Sequence, residues 1–269
     1  MNELKKLMTD LHIEYYAILP YSVLRETGER IRERSGITPQ TAIIYLLPYY
    51  SGECVNISRY AASLDYHLAI KEIGGKIISH LTNRYPDYSF CSFGDHSPID
   101  ERHAALIGGL GIAGDNGLLI NEKYGSYVFV ADVLTDAPPE LLGATAPVQI
   151  RACSHCGACK QACPTGILRG EGDDCLSAIT QRKGELTQEE KLLMCRINTS
   201  WGCDLCQSAC PHNRSPLITP VEFFHRDRIT ELTKQSLDSM TKEQFAQRAF
   251  SWRGRAVVER NLKILADRE

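Results

Sequence analysis

Residues 153–164 read Cys153-Ser154-His155-Cys156-Gly157-Ala158-Cys159-Lys160-Gln161-Ala162-Cys163-Pro164: four cysteines spaced by two, two and three residues and closed by proline. Two-residue gaps let one loop of backbone wrap three corners of an iron–sulfur cubane. The longer third gap, ended by proline, turns the fourth sulfur toward a second cluster. A zinc ribbon would instead show two Cys-x-x-Cys pairs held apart by a longer insert. The run therefore predicts a small domain folded around two [4Fe–4S] clusters.

A second run supports it. Cys203-Asp204-Leu205-Cys206-Gln207-Ser208-Ala209-Cys210-Pro211 repeats the last three positions, but its first position is residue 200, a serine. In the bacterial ferredoxin pattern the last cysteine of each run serves the other run's cluster. Cluster one then takes Cys153, Cys156, Cys159 and Cys210. Cluster two takes Cys163, Cys203 and Cys206, with Cys175 or Cys195 as its fourth ligand. Clusters interleaved in this way are suited to relaying electrons.

Nine of the eleven cysteines fall between Cys153 and Cys210, and only Cys54 and Cys91 precede them. A secreted disulfide scaffold would be shorter and would start with an apolar signal segment. The first eleven residues are charged, and no apolar run approaches the ~20 residues of a membrane helix. A cytoplasmic protein without a membrane partner is expected, with Cys54 and Cys91 as small buried apolar residues. The 269 residues carry a net charge of −3, so the field of the whole molecule does not announce a nucleic-acid binder. Arg248, Arg253, Arg255, Arg260 and Lys263 form a local basic run, which reads as a solvated helix face.

Upstream of the clusters the pattern is mixed. Leu4, Leu7, Met8 and Leu11 mark a helix; Tyr15–Leu19, Thr41–Leu47 and Tyr88–Phe93 read as strands; Tyr66, Ile70, Ile73, Ile77 and Leu81 mark a long helix to Arg84. Pro98 suits the first turn of another helix, which would make Asp95 a candidate cap. The segments 117–120 and 126–134 flank a turn at 121–125 and predict a hairpin. Proline-rich residues 137–147 read as a linker. The expected domains are an α/β or α+β domain (1–147), a two-cluster domain (148–218) and a helical C-terminal segment (219–269) packing back on the first.

Several short segments, in order, resemble the cobalamin-dependent epoxyqueuosine reductases, which are relatives of the reductive dehalogenases and complete queuosine synthesis in tRNA. They are Ser58-Arg59-Tyr60-Ala61 with Asp65-Tyr66-His67, Gly94-Asp95-His96-Ser97-Pro98, Gly109-Leu110-Gly111-Ile112 through Asn116, and Leu119-Ile120. Gly125-Ser126-Tyr127, Leu134-Thr135-Asp136, Cys175-Leu176-Ser177, Gly202-Cys203-Asp204, Ser251-Trp252-Arg253-Gly254 and Arg260-Asn261 complete the set. The resemblance implies a nitroreductase-like corrinoid-binding domain ahead of the ferredoxin-like one, and cobalamin held base-off between them. It implies Cys175 as the eighth cluster ligand, leaving Cys195 a spare thiol. It also implies Asp95 as the catalytic acid, and Ser58, Arg102 and Ser177, with Asp95, as residues near the corrinoid. The loop 109–117 would face the corrinoid tail, and Asp115 stands where the family often has lysine.

tRNA is the implied substrate, and flavodoxin or ferredoxin the kind of external low-potential electron donor. Arg253, Arg255 and Arg260 would then contact phosphates. Many relatives continue into a helical repeat domain, so a sequence ending at Glu269 implies a shorter grip on tRNA. The chemistry agrees: removing an oxygen reductively needs low-potential single electrons, which such clusters supply, and a proton, which a partly desolvated carboxyl can carry. Two other readings share these residues. One is a corrinoid reductase acting on a small organic substrate, as in the dehalogenases. The other is a two-cluster electron-transfer protein with no catalysis of its own.

Overall fold

The eight residues of Thr41–Pro48 (β2) are all buried, which an apolar run achieves only when covered on both faces. In the computed structural model, which describes residues 2–27 and 35–267, β2 lies inside a four-stranded sheet of order β1-β2-β6-β3. The partners are Tyr16–Pro20 (β1), Phe90–Phe93 (β3) and Val128–Thr135 (β6), and every pairing is antiparallel. Tyr16 sits opposite Tyr45, Thr41 opposite Thr135, and Phe93 opposite Asp132. The mixed α/β expectation therefore resolves to α+β for this part of the chain.

Alternation along β2 divides the core. Ala42, Ile44 and Leu46 join Ala104, Ala105, Leu106 and Ile107 of helix Glu101–Ile107 (α3) on one face. On the other, helix Tyr66–Arg84 (α2) presents buried Ile70, Ile73, Ile77 and Leu81. Gly74 lets α2 approach closely, because a Cβ there would meet the Ser92 side chain at 2.3–2.8 Å, with the Tyr45 hydroxyl oxygen at 3.5 Å. Helix Asn2–Asp10 (α1) precedes β1.

Two local expectations fail. The strand Leu119–Ile120 (β5) pairs with Ile112–Ala113 (β4), and β6 pairs with β2 and β3, so 117–134 is no hairpin. Only an isolated bridge joins Asn121 to Gly125. Asn121 explains the turn: its Oδ1 accepts from the amides of Lys123 and Tyr124, and its Nδ2 donates to the Leu110 carbonyl. Nor is 137–147 a free linker. It contains a helical turn, Pro139–Leu142 (α4), with Leu142 buried, and the Thr145 amide donates to the Ile18 carbonyl.

The chain forms two compact units, and their limits differ from the expected domains. The first holds residues 1–48 and 67–155, the second 49–66 and 156–269. The C-terminal segment belongs to the second unit. Its residues Leu232, Leu237, Phe250, Val257, Val258 and Leu262 share a core with Ile57, Ala61, Ala62 and Trp201. It thus packs on 49–66, which comes early in the sequence but leaves the sheet at Pro48. Asn56 fastens this segment, exchanging two hydrogen bonds with the Leu232 backbone, each 2.8 Å.

Helices of the second unit are short: Ala158–Ala162 (α5), Leu176–Gln181 (α6), Gln188–Ile197 (α7), Leu205–Ser208 (α8), Lys234–Ser239 (α9), Lys242–Ala246 (α10) and Arg255–Ala266 (α11). Capping boxes at Thr187, Thr233 and Thr241 satisfy amides that such short helices leave open. Among the described residues no helix is long and apolar enough to cross a membrane.

Candidate metal centre and catalytic carboxylate

In the second unit α5, which carries buried Cys159, packs against α8, which carries Cys206. Gly157 enters α5 at φ 77°, a left-handed conformation that glycine adopts without the Cβ penalty. Cys163 ends α5 and Cys210 begins the turn Pro211–Asn213. No disulfide joins the cysteines among the described residues.

The surroundings of Cys163 suit a thiolate. Burial alone would raise its pKa, yet the amides of Leu168, Thr165 and Gly166 and the Thr165 hydroxyl hold it below the usual thiol value. That donor set is what a cluster-ligating sulfur needs, since ligation requires the thiolate. Burial pushes the Cys203 thiol up to about 11, with further repulsion from Cys175, Asp204 and Cys163. Cys163, Cys175 and Cys203 are therefore electrostatic neighbours. Cys195 points elsewhere: its thiol donates to the Ile264 carbonyl at 3.1 Å. Ser200, at the position of the missing cysteine, is fully buried and hydrogen-bonded through amide and hydroxyl to the Asn56 carbonyl. The first unit ends at His155 and the second resumes at Cys156, so Cys153 belongs to the first unit and the other cysteines of the run to the second.

Asp95 follows β3 with φ at 67°. Asp tolerates this left-handed region better than most residues. It is not the cap of α3. That role belongs to Asp100, whose Oδ1 accepts from the His103 amide at 2.9 Å. The Asp95 side chain is half exposed, with Oδ2 3.6 Å from His67 Nε2 and 3.9 Å from His96 Nε2.

Glu101 lies beneath, and the sequence reading missed it. Burial, reinforced by the Asp95 charge, pushes its carboxyl up to about 7, while it accepts hydrogen bonds from the amides of Asp95 and Ser97. It ties down the turn that displays Asp95. In sequence an acid in the first turn of a helix reads as a surface residue favoured by the dipole, so no local signal marks its carboxyl as partly buried and bonded to the 95–97 turn.

The other expected corrinoid neighbours divide between the units. Arg102 is an exposed residue of α3 in the first unit. Ser177 lies in the first turn of α6 in the second, accepting from Gln181 Nε2 at 3.0 Å. Ser58, also in the second, is buried and donates to Asp204 Oδ1, while the Arg59 amide donates to Asp204 Oδ2 at 2.7 Å. These bonds anchor 49–66 to the Cys203–Cys206 loop. In the loop 109–117, Asn116 Oδ1 accepts from the Leu118 amide, whereas its Nδ2 is buried with no hydrogen-bond partner. An orphan donor there fits an incoming acceptor such as a corrinoid side-chain amide or phosphate. Asp115 Oδ1 lies 2.7 Å from His155 Nδ1.

The arginine run is mostly committed internally. Arg260 donates to the carbonyls of Arg182 and Gly184 and to Asn261. Arg255 donates to Glu259, Asp238 and the Leu237 carbonyl. Arg253 instead lies over the ring of exposed Trp252, 3.7 Å from its centroid. The expected three-arginine phosphate patch thus reduces to the Trp252–Arg253 pair.

Residues 152–213 match the 4Fe-4S double cluster binding domain. The chain is 31% identical to the epoxyqueuosine reductase of Cyclobacterium marinum over 258 residues, covering 90% of this chain and 80% of that one. The chain belongs to the epoxyqueuosine reductase family. The family's Listeria monocytogenes member is 34% identical over 222 residues, 78% of this chain but only 56% of its own length. The chain thus spans little more than half of that relative. A solved epoxyqueuosine reductase bound to an epoxyqueuosine-modified tRNA-Tyr stem loop shares the family fold, with TM-score 0.77 and 22% identity over 98% of this chain and 80% of that one.

Proposed function

We propose that this chain is a reductase carrying two [4Fe–4S] clusters and cobalamin that converts epoxyqueuosine to queuosine in tRNA. Asp95 carries the reading. A half-exposed carboxylate is displayed on a left-handed turn, tied down by the partly buried Glu101, in a chain of the epoxyqueuosine reductase family that also carries a double-cluster module.

Cluster one is held by Cys153, Cys156, Cys159 and Cys210, and cluster two by Cys163, Cys175, Cys203 and Cys206. The amides around Cys163 and the hydrogen bond that withdraws Cys195 support this set. The clusters supply single electrons at low potential, delivered by an external flavodoxin or ferredoxin. Cobalamin would supply two-electron cobalt chemistry when bound; Asn116 and Arg102, both of the first unit, are the residues proposed to hold it there. Asp95 delivers the proton to the departing epoxide oxygen. Its turn fixes the carboxyl in direction and leaves it open to substrate, while Glu101, a carboxyl titrating near neutrality, stands behind it as a proton reserve.

A small organic substrate for the same machinery is the second reading, favoured by the internal use of Arg255 and Arg260. The test of the carrying observation is Asp95→Asn, which keeps shape but holds no proton to give. Clusters and corrinoid should remain, with turnover of epoxyqueuosine tRNA lowered by roughly 10²–10⁴. Normal turnover in a loaded variant would remove Asp95 from the chemistry.

A further inference from the structure

We infer that His67, Asp95 and His96 form a binding site for a divalent transition cation of the zinc class. The three donor atoms, His67 Nε2, Asp95 Oδ2 and His96 Nε2, all lie within 4.8 Å of one another. The carboxylate oxygen is 3.6 Å from one nitrogen and 3.9 Å from the other. The two rings stack, with centroids 6.1 Å apart and planes inclined by 19°, and both Nε2 atoms approach the same carboxylate oxygen. Zinc binds imidazole nitrogen and carboxylate oxygen at about 2.0–2.2 Å, which sets tetrahedral ligands roughly 3.4 Å apart. Closing the present separations takes small side-chain rotations. All three side chains have room for them, being 43%, 52% and 77% exposed for His67, Asp95 and His96.

The donor set selects the metal class. Two imidazoles and one carboxylate suit zinc and its late first-row neighbours, whereas magnesium and calcium prefer oxygen alone. The scaffold is held on both sides: His67 by the first turn of α2, and the 95–97 turn by Glu101 through the Asp95 and Ser97 amides. Three protein ligands leave a coordination position open to water, so the site is accessible and exchangeable.

One consequence rests on the proposed role of Asp95. A cation bound to Oδ2 takes up the carboxylate that would carry the proton, so zinc should inhibit turnover.

The test uses the anaerobically prepared, cluster-loaded chain, whose cluster cysteines are already occupied, with Zn²⁺ competed against a chromophoric chelator. The wild type should bind one equivalent that His96→Ala and His67→Ala each weaken at least tenfold. No competing equivalent, or identical uptake by wild type and both variants, would overturn the site. Zinc should lower wild-type turnover, whereas His96→Ala, compared with its own zinc-free rate, should escape that inhibition. Zinc that binds through these residues yet leaves turnover intact would uphold the site and contradict the role of Asp95.

Discussion

The Cys195 thiol is spent on the Ile264 carbonyl, whereas Cys175 lies close enough to Cys203 to raise its pKa. The proposed assignment gives Cys175→Ser and Cys195→Ser opposite outcomes. Iron in the first should fall toward about four per chain, while the second keeps about eight; the reverse would exchange their roles. Sequence spacing left both open, because Ser200 occupies the local position and neither candidate belongs to the second run. Glu101 was illegible because its partial burial depends on the turn at 95–97, whose amides bond its carboxyl. Its carboxyl titrates at about 7 instead of 4.5, so the folded state holds the proton more tightly than the unfolded one. Stability from this group is complete below pH 4.5, declines as pH rises through the window to 7, and is absent above it. The full cost is about 3 kcal/mol. Glu101→Gln should therefore stabilise the protein by about 1–3 kcal/mol at pH 8.5, and by less than half as much at pH 5.5. Denaturant unfolding at the two pH values measures it; a pH-independent difference would contradict the buried titration.

Helix α2 offers adjacent glycines with opposite expectations. Gly74 is buried against Ser92, and a Cβ there would overlap the serine side chain; Gly75 is exposed, with nothing within 4 Å of such a Cβ. Alanine improves helix propensity by about 1 kcal/mol at either position. At Gly75 that gain stands alone, so Gly75→Ala should stabilise by about 0.5–1 kcal/mol. At Gly74 overpacking costs about 1–3 kcal/mol and wins, so Gly74→Ala should lower the unfolding free energy. Two changes of the same sign would mean that α2 does not approach the sheet as described. The helix itself was legible, since Tyr66, Ile70, Ile73, Ile77 and Leu81 repeat at helical spacing and four of them are buried. The hairpin was not. A turn between apolar runs gives the signal whether or not the runs pair, and here β4 and β2 took the pairing instead.

Over the whole molecule, ligand spacing was the most legible feature because cluster geometry acts over a few residues, and residues 152–213 match the double-cluster domain. The division into units was the least legible. Residues 49–66 join a core built largely by residues 201–262, a long-range choice that composition does not record. Of the three arginines expected to contact phosphates, Arg255 and Arg260 are bonded internally and Arg253 lies over exposed Trp252. Such a pair can contact both a phosphate and a base face. The clusters and Asp95 are proposed to serve one corrinoid reduction on tRNA. Anaerobic incubation of the cluster-loaded chain with epoxyqueuosine-containing tRNA, cobalamin and a low-potential reductant tests it directly, read by mass spectrometry of the digested nucleosides. The account predicts queuosine, formed only when cobalamin is present. Epoxyqueuosine left unchanged by a chain that holds both clusters and the corrinoid would contradict it.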